Sequence, residues 1–280
     1  MVSPLAVEFA ALVSPEIEDE QIDLLTTSLT IAKLEYPQLD VSMYRQKVSS
    51  IAETVKARVN RSDDSLETLA IINEVLFGDE GFRGNVSDYY DPKNFFFNDV
   101  LDRKLGIPIT LSVLYIEVAR RAGIPVFGVG MPGHFLLKFY EIDGRELFLD
   151  AYNSGRLLSP EDCQEKLTEI YNGQIPLDAK FLTPVGKRQI LTRMLNNLRS
   201  IYMTNRLLKK ALAVIDLILV IYPRSADDVK QRAMLRYQLG FLHGAADELD
   251  EYVKMAPEAS DAEEMKQTAM AIRRTIALMN

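Results

Sequence analysis

Apolar residues recur at helical spacing over the first third of the chain, and this periodicity predicts three amphipathic helices. The predicted helices cover residues 22–34, 43–59 and 66–77. Pro37 follows the first helix and the polar segment 60–62 breaks the second, because proline and clusters of turn-forming residues end helices. Each helix has one apolar face and one polar face, which indicates packing on a core and no chemistry.

The next helical pattern is apolar on nearly all sides and predicts a buried central helix. It covers residues 109–122, with Pro108 in its first turn and Gly123 just past its end, where these two residue types are favoured. The preceding stretch, 78–108, is rich in glycine and proline and is predicted as a loop. We interpret its aromatic cluster 95–97 as a buried plug, with a ligand-stacking wall as the alternative.

After the central helix the pattern changes from helical to extended. Three apolar stretches, 125–131, 134–140 and 146–150, predict at least three antiparallel strands. The connection 142–145 contains an Asp-Gly pair, and glycine accepts the positive φ that tight hairpin turns need. We therefore expect one buried helix followed by a small antiparallel sheet.

The C-terminal third repeats itself with a period of 34 residues. The pairs at this offset are Arg206 and Gly240, Ala211 and Ala245, Leu219 and Val253, and Pro223 and Pro257. Each unit has two helical patterns, a short turn and a terminal proline. The period and the pattern resemble tetratricopeptide repeats, and we expect two repeats with a capping helix over 261–279.

Composition narrows the possible chemistry. The chain has 280 residues, a formal charge of −8, a single cysteine, Cys163, and two histidines. One cysteine excludes an internal disulfide framework and any cysteine-rich zinc or iron–sulfur site, so we predict no cofactor and no metal. The N-terminus lacks the basic start of a secretory signal, and the most apolar stretch, 212–221, is half the ~20 residues that span a bilayer. We therefore expect a soluble, cytoplasmic protein with no membrane contact.

Charge is unevenly distributed along the chain. Residues 1–185 carry a net charge of −12, residues 186–236 carry +8, and residues 237–280 carry −4. The reversal coincides with a change in composition near 184–186, which predicts two domains, 1–185 and 186–280. The basic stretch 186–236 is predicted to face the acidic N-terminal domain or an acidic protein. Nucleic acid is the disfavoured alternative, because the pI is near 5.0 and no nucleic-acid motif is present.

One constellation in the middle of the chain carries candidate chemistry. Gly106-Ile107-Pro108 opens the buried helix, His134 follows a Pro-Gly pair, and Asp150 ends the next apolar run. This order resembles the transglutaminase-like, papain-related core, in which a cysteine at the helix start is the nucleophile. The resemblance implies that His134 is the base and Asp150 the residue that orients it. The nucleophile position is Pro108, which has no nucleophilic side chain and no backbone N–H for an oxyanion.

Longer motifs resemble a narrower group, the SirB-one type of transglutaminase-like protein with C-terminal tetratricopeptide repeats. The motifs are Phe77-Gly78, Asn94-Phe95, Val100-Leu101, Gly106-Ile-Pro-Ile-Thr-Leu-Ser112, Pro132-Gly-His-Phe-Leu136, Leu149-Asp150, Leu158-Ser159 and Asp162-Cys163. The resemblance implies an α+β fold, with N-terminal helices, a core with an antiparallel sheet, and an all-α repeat region.

The first functional hypothesis is a module that binds a protein or peptide without catalysis. It rests on Pro108 at the nucleophile position and on the helical repeats, and it leaves the oligomeric state open. His134 and Asp150 would then be a vestigial pair. The residues predicted to take part in binding are Asn94, Phe95, Thr110 and Phe135.

The competing hypothesis is an enzyme, a hydrolase or amide-group transferase that uses His134 and Asp150 with an atypical nucleophile or an activated water. Thr110 and Ser112 lie in the first turns of the buried helix, where a hydrogen-bonding role is the commoner one. Cys163 lies beyond Asp150, in the wrong chain order, and we interpret it as structural. A regulator that contacts nucleic acid through 186–236 is a third hypothesis.

Overall fold

The computed structural model describes residues 3–60, 64–141 and 143–279. Arg61 and Ser62 of the predicted helix break, and Ile142 of the predicted hairpin connection, lie outside these residues. The chain divides into two compact units. One is Asp19–Met194, and the other combines Met1–Glu18 with Leu195–Asn280.

Helices dominate the described residues. Their bounds are α1 (Pro4–Val13), α2 (Leu24–Ile31), α3 (Val41–Arg58), α4 (Ser65–Asn73), α5 (Phe97–Arg103), α6 (Pro108–Ala122), α7 (Pro160–Tyr171), α8 (Lys187–Thr204), α9 (Leu208–Ile221), α10 (Ala226–Gln238), α11 (Leu242–Met255) and α12 (Ala262–Met279). None of the helices in these described ranges is both long and apolar enough to cross a membrane.

The strands form two small sheets. Their bounds are β1 (Arg83–Gly84), β2 (Leu105–Gly106), β3 (Val126–Val129), β4 (Leu136–Tyr140), β5 (Glu146–Asp150) and β6 (Arg156–Leu158). β1 and β2 pair in parallel over two residues, and β3 to β6 form an antiparallel sheet in sequence order. The predicted α+β fold class is confirmed.

The three predicted N-terminal helices correspond to α2, α3 and α4. α2 continues as a 3₁₀ turn through Leu34, and α4 continues as a π-helical turn over Glu74–Asp79. The cap of α4 is Asp64, which forms a reciprocal capping box with Glu67. α5 is a short helix inside the stretch predicted as loop, and the sequence pattern does not predict α1 either.

α6 is the centre of the Asp19–Met194 unit. Apolar residues on most of its sides are buried, as the sequence pattern predicts. Helices α2 to α5 contact it, and strands β3 and β4 contact it as well. Its one buried carboxylate, Glu117, pairs with Arg121 and, at 3.1 Å, with Arg120, which avoids the cost of an unpaired buried charge.

The two central strands of the antiparallel sheet, β4 and β5, are buried on both faces over most of their length. One face supplies Leu136, Phe148 and Leu158 to an apolar cluster that includes Cys163 and Leu167 of α7. On the opposite face, Leu137 and Leu149 are paired in register and fully buried, because alternate residues of a strand point to opposite faces. Burial on both faces explains why the strand segments read as continuous apolar runs.

Strand β4 begins later than the sequence pattern predicts. The apolar run starts at His134, but the strand starts at Leu136. Pro132 and Gly133 form a turn in which Gly133 adopts φ +69°, and the His134 N–H donates to the Met131 carbonyl at 3.2 Å. The turn therefore uses the His134 backbone donor before the ladder begins.

The 34-residue period reappears in the backbone of the repeat unit. Arg206 and Gly240, at the same repeat position, both have positive φ, +57° and +82°. The next residues, Leu207 and Phe241, precede α9 and α11 with nearly identical φ/ψ, −84°/61° and −81°/62°. Ala211 and Ala245, which occupy the same position in the two repeats, are fully buried. Their small side chains let neighbouring helices approach closely.

The compact units differ from the predicted division into 1–185 and 186–280. α1 belongs with the repeat helices and contacts α9. The chain passes from one unit to the other inside α8, after Met194. The first turns of α8 stay in the earlier unit, where Ile190 is buried close to Gly128. α8 contains no glycine or proline that would mark the passage from one unit to the other. The composition of the sequence therefore predicts the boundary in the loop before α8.

Two glycines with φ +71° allow a matched test of the fold. A Cβ at Gly81 would meet nothing within 4 Å, whereas a Cβ at Gly155 would overlap the Asn73 side chain, which donates to the Gly155 carbonyl at 3.1 Å. We expect Gly81→Ala to lower the free energy of unfolding by about 1 kcal/mol. Gly155→Ala should cost ~3 kcal/mol. Equal losses in urea unfolding would contradict the close packing at Gly155.

Candidate active site

The turn before β4 presents His134 at the end of the sheet. Arg193 of α8 holds both ends of this turn: its guanidinium donates to the Met131 carbonyl at 3.1 Å and to the His134 carbonyl at 2.7 Å. The same guanidinium lies over the Phe135 ring, 5.4 Å from its centroid. The backbone around His134 is therefore fixed by a charged residue distant in sequence.

Asp150 is fixed by its position at the end of β5. Its Oδ1 accepts from the backbone N–H groups of Tyr152 at 3.1 Å and Asn153 at 3.3 Å, so it caps the 3₁₀ turn Ala151–Asn153. Its Oδ2 accepts from the Asn153 amide at 2.8 Å. The side chain is fully buried. An aspartate that ends a strand and starts a turn is held in one orientation.

The structure brings His134 and Asp150 together. His134 Nε2 lies 3.0 Å from Asp150 Oδ2, although the ring N–H is not directed well enough for a hydrogen bond. Lys166 of α7 places its Nζ at 3.0 Å from the same oxygen. The carboxylate thus has two cationic or potentially cationic neighbours, and the catalytic role of the pair stays a prediction.

The pKa of Asp150 lies well below the usual carboxyl range. Burial alone would raise it, but the neighbouring His134 imidazole, the Asn153 amide and the Lys166 ammonium stabilise the ionised form and outweigh burial. Asp150 is therefore a carboxylate at neutral pH, able to orient an imidazole and unable to act as an acid.

The start of α6 is closed by hydrogen bonds. Pro108 is the first residue of the helix and is buried. Thr110 Oγ1 accepts from the Ile107 N–H at 3.1 Å and lies 3.0 Å from the carbonyl oxygen of Asn94, to which it donates. Its hydroxyl satisfies a free donor of the helix end, which is a capping role.

A series of side-chain hydrogen bonds and one ring contact connects the start of α6 with His134. The Asn94 side chain accepts from the Asn85 amide at 3.0 Å, and the Tyr152 hydroxyl donates to the Asn85 carbonyl at 3.1 Å. The Tyr152 ring meets the His134 ring edge-on, with centroids 6.2 Å apart. Gly84 makes room for Tyr152, since a Cβ there would lie 2.5 Å from the ring.

The four residues predicted to bind a ligand are all buried. They are Asn94, Phe95, Thr110 and Phe135. Asn94 and Thr110 have internal hydrogen-bond partners, and Phe135 packs beneath Arg193 and Gly128. Their part in binding stays a prediction. The aromatic cluster 95–97 is buried too, which agrees with the interpretation as a plug.

The alternative nucleophiles are enclosed. The Ser112 hydroxyl is buried without a hydrogen-bond partner, and the Cys163 thiol lies in the apolar cluster between the sheet and α7. Burial, followed by the charge of Asp162, raises the pKa of Cys163 to about 11. A thiol with this pKa is almost entirely protonated at neutral pH and is a poor nucleophile.

Three further residues belong to this site and are not predicted by the sequence pattern: Tyr152, Lys166 and Arg193. The Asp150-Ala-Tyr-Asn153 segment carries a weak local signal, because an aspartate before a turn caps the following N–H groups. Lys166 and Arg193 come from helices that follow the sheet, and no local pattern indicates which of their charges reach it. Within the described ranges, no three His, Cys, Asp or Glu side chains are grouped so as to hold a metal ion.

Charges of the basic stretch are paired inside each unit. In the Asp19–Met194 unit Arg188 Nη1 lies 3.7 Å from Asp19 Oδ1. In the repeat unit the pairs are Arg199 with Asp228, Lys230 with Asp261, Arg232 with Asp216 and Glu248, and Arg236 with Glu248. These pairs show that much of the positive charge has an internal partner.

With this geometry in place, comparison with known proteins identifies the family. A sequence model described as the transglutaminase-like superfamily matches residues 42–196, and one for the tetratricopeptide repeat matches residues 198–270. The chain belongs to the transglutaminase-like superfamily. The predicted repeats are confirmed as tetratricopeptide repeats, and this combination supports a protein-interaction module.

Two bacterial relatives match most of the chain, and a third relative matches part of it. A UPF0162 protein of Xylella fastidiosa (strain 9a5c) is 37% identical over 250 residues, covering 88% of this chain and 89% of that protein. Protein SirB1 of Salmonella typhimurium is 22% identical over 226 residues, covering 81% and 82%. F-box only protein 21 of Mus musculus is 34% identical over 187 residues, which are 62% of this chain and 28% of that protein. The chain is a SirB-type transglutaminase-like protein.

The depressed pKa of Asp150 predicts a pH-dependent contribution to stability. Its folded pKa lies below the unfolded value of about 3.9, so its stabilisation is complete above that value and is lost as the pH falls toward the folded pKa. We expect Asp150→Asn to cost about 3 kcal/mol at pH 7, and this deficit should shrink between pH 5 and pH 3. Urea unfolding across this range measures it.

A matched control is Asp227→Asn, which removes an exposed carboxylate on α10. It should change the free energy of unfolding by less than about 0.5 kcal/mol at every pH. A deficit in Asp150→Asn that is constant with pH would show that ionised Asp150 does not stabilise the fold.

Proposed function

We propose that this protein binds a peptide segment of a protein partner and does not catalyse a reaction at its transglutaminase-like site. Pro108 at the start of α6 carries the proposal. The site keeps a histidine beside an oriented carboxylate, but the position where this superfamily places its nucleophile has no nucleophilic atom and no N–H. The enclosed Cys163 and Ser112 support the same conclusion. We propose a cytoplasmic location, where a single buried thiol stays reduced.

The cavity in the repeat unit is larger than the cavity beside Asp150. A cavity of about 490 Å³ lies among α1, α9, α10 and α11. Its lining combines apolar residues such as Leu219 and Val229 with the charged residues Arg232, Arg236 and Glu251. A concave site with apolar walls and a few charged groups is suited to a peptide side chain. By contrast, the cavity beside Asp150 is about 80 Å³ and lined mostly by charged residues.

A peptide array probed with the full chain tests the proposal. Val220 lines the repeat cavity and is half-buried, so Val220→Trp should fill the cavity. The affinity for a peptide found on the array, measured by calorimetry, should fall at least tenfold. Met270→Trp is the control, on an exposed position of α12. Unchanged affinity in Val220→Trp and in His134→Ala would mean that neither surface binds the peptide.

The second candidate function is a hydrolase or amide-group transferase. The 3.0 Å approach of His134 to Asp150 favours it, because an imidazole beside a carboxylate can accept a proton from water. Turnover on a panel of peptide and amide substrates decides between the two functions. Turnover that is lost in His134→Ala and kept in Cys163→Ser would support the enzyme and contradict the binding module. We expect no turnover above that of buffer.

A cysteine at position 108 tests whether the site still activates a thiol. In a Cys163→Ala background, Pro108→Cys places a lone thiol at the start of α6, where the helix dipole lowers a thiol pKa and, in the arrangement of this superfamily, the His134 imidazolium would lower it further. The control is the same cysteine in a His134→Ala background, which keeps the helix dipole and the burial of the thiol and lacks the imidazole. We expect thiolate absorbance in Pro108→Cys to appear at least one pH unit lower.

If Pro108→Cys titrates at the same pH with and without His134, the correspondence between Pro108 and the nucleophile position is wrong. The enzyme hypothesis would then lose its structural support as well.

A further inference from the structure

The Arg193 guanidinium is half-buried beside the candidate site without a carboxylate partner. Its protein acceptors are the carbonyls of Met131 and His134, and in the described part of the chain no acidic side chain forms an ion pair with it. Removal from water lowers the pKa of Arg193. An arginine without an opposite charge bears a desolvation cost that a bound anion would reduce.

The Arg193 guanidinium has N–H groups that the protein does not use. Its three contacts to carbonyls account for three of its five N–H groups. A Cβ at Gly130 would stand 3.5 Å from Arg193 Nη1, so the glycine keeps a side chain away from this edge of the guanidinium. The planar fork of arginine matches the two oxygens of a carboxylate.

Two tyrosines place neutral hydroxyl donors near the His134 turn. The hydroxyls of Tyr89 and Tyr171 are near enough to influence the charge of Arg193. The Tyr171 hydroxyl also lies 3.3 Å from where a Cβ of Gly133 would stand, and the Tyr89 ring packs edge-on against Tyr152 at 6.1 Å. Across the described residues, neither hydroxyl has a hydrogen-bond partner in the protein.

We propose that Arg193, Tyr89 and Tyr171 form a binding site for a carboxylate of the partner peptide, beside the His134 turn. The proposal rests on the proposed function and adds to it the chemistry of the segment that is recognised. Arg193 would bind the anion and hold the His134 turn with the same guanidinium, so occupancy of the site would stiffen that turn. A carboxylate is supplied by a chain terminus or by an Asp or Glu side chain.

NMR of the full, ¹⁵N-labelled chain tests this site with small probes. Acetate, titrated at constant ionic strength, should shift the Arg193 Nε–H signal saturably, whereas the neutral analogue acetamide should not. Arg193→Gln identifies the signal by its loss. Tyr89→Phe combined with Tyr171→Phe should lower the affinity for acetate at least threefold. Arg199→Gln, which removes an arginine of α8 that is paired with Asp228, should leave this affinity unchanged.

Two further probes distinguish the source of the carboxylate. N-acetyl-alanine carries a terminal carboxylate, and N-acetyl-glutamic acid α-amide carries only a side-chain carboxylate. Tighter binding of the first assigns the site to a chain terminus, and tighter binding of the second assigns it to an acidic side chain. Equal shifts with acetate and acetamide, or a response to inorganic phosphate alone, would overturn the proposal.

The outcomes separate this proposal from the function on which it rests. If acetate binds at Arg193 but no peptide binds the full chain, the anion site stands and the peptide-binding function fails. If a peptide binds with the same affinity to the wild type and to the double tyrosine variant, the binding function stands and the carboxylate site is wrong.

Discussion

The ionised, fully buried carboxylate of Asp150 is the interaction on which the site depends. It ends β5, caps the following turn through two backbone N–H groups, and lies 3.0 Å from both His134 and Lys166. A buried charge is tolerated only when its neighbours satisfy it. The elements that supply those neighbours, the His134 turn and α7, are therefore held against the end of the sheet by one side chain.

The remainder of the site follows from the burial of α6. Because this helix is enclosed by other helices and by the sheet, the residues at its start cannot reach water and must be satisfied internally. Thr110, Asn94 and Asn85 do this as a connected set that ends at Tyr152 and the His134 ring. A proline at the first position of α6 suits such an enclosed helix end, since it needs no acceptor for a backbone donor.

Local patterns account for most of the elements. The 3.6-residue period predicts α2, α3, α4 and α6, and the 34-residue period predicts the repeats down to the positive φ shared by Arg206 and Gly240. Short elements defined by tertiary contacts were harder to predict. α5 lies in a glycine- and proline-rich stretch. β4 starts two residues after the first residue of its apolar run, because the His134 N–H is used by the turn that contains Gly133.

The sequence by itself determined the α+β class and the tetratricopeptide period, because periodicity is a local property, and the resemblance of its motifs to the transglutaminase-like core implied the pairing of His134 with Asp150. It also determined that position 108 has no nucleophile. Only the tertiary structure decided that Lys166 shares the Asp150 carboxylate and that Arg193 holds the His134 turn. Those contacts join residues from separate helices. Whether a long cationic side chain reaches a buried partner depends on packing geometry, which no local pattern encodes.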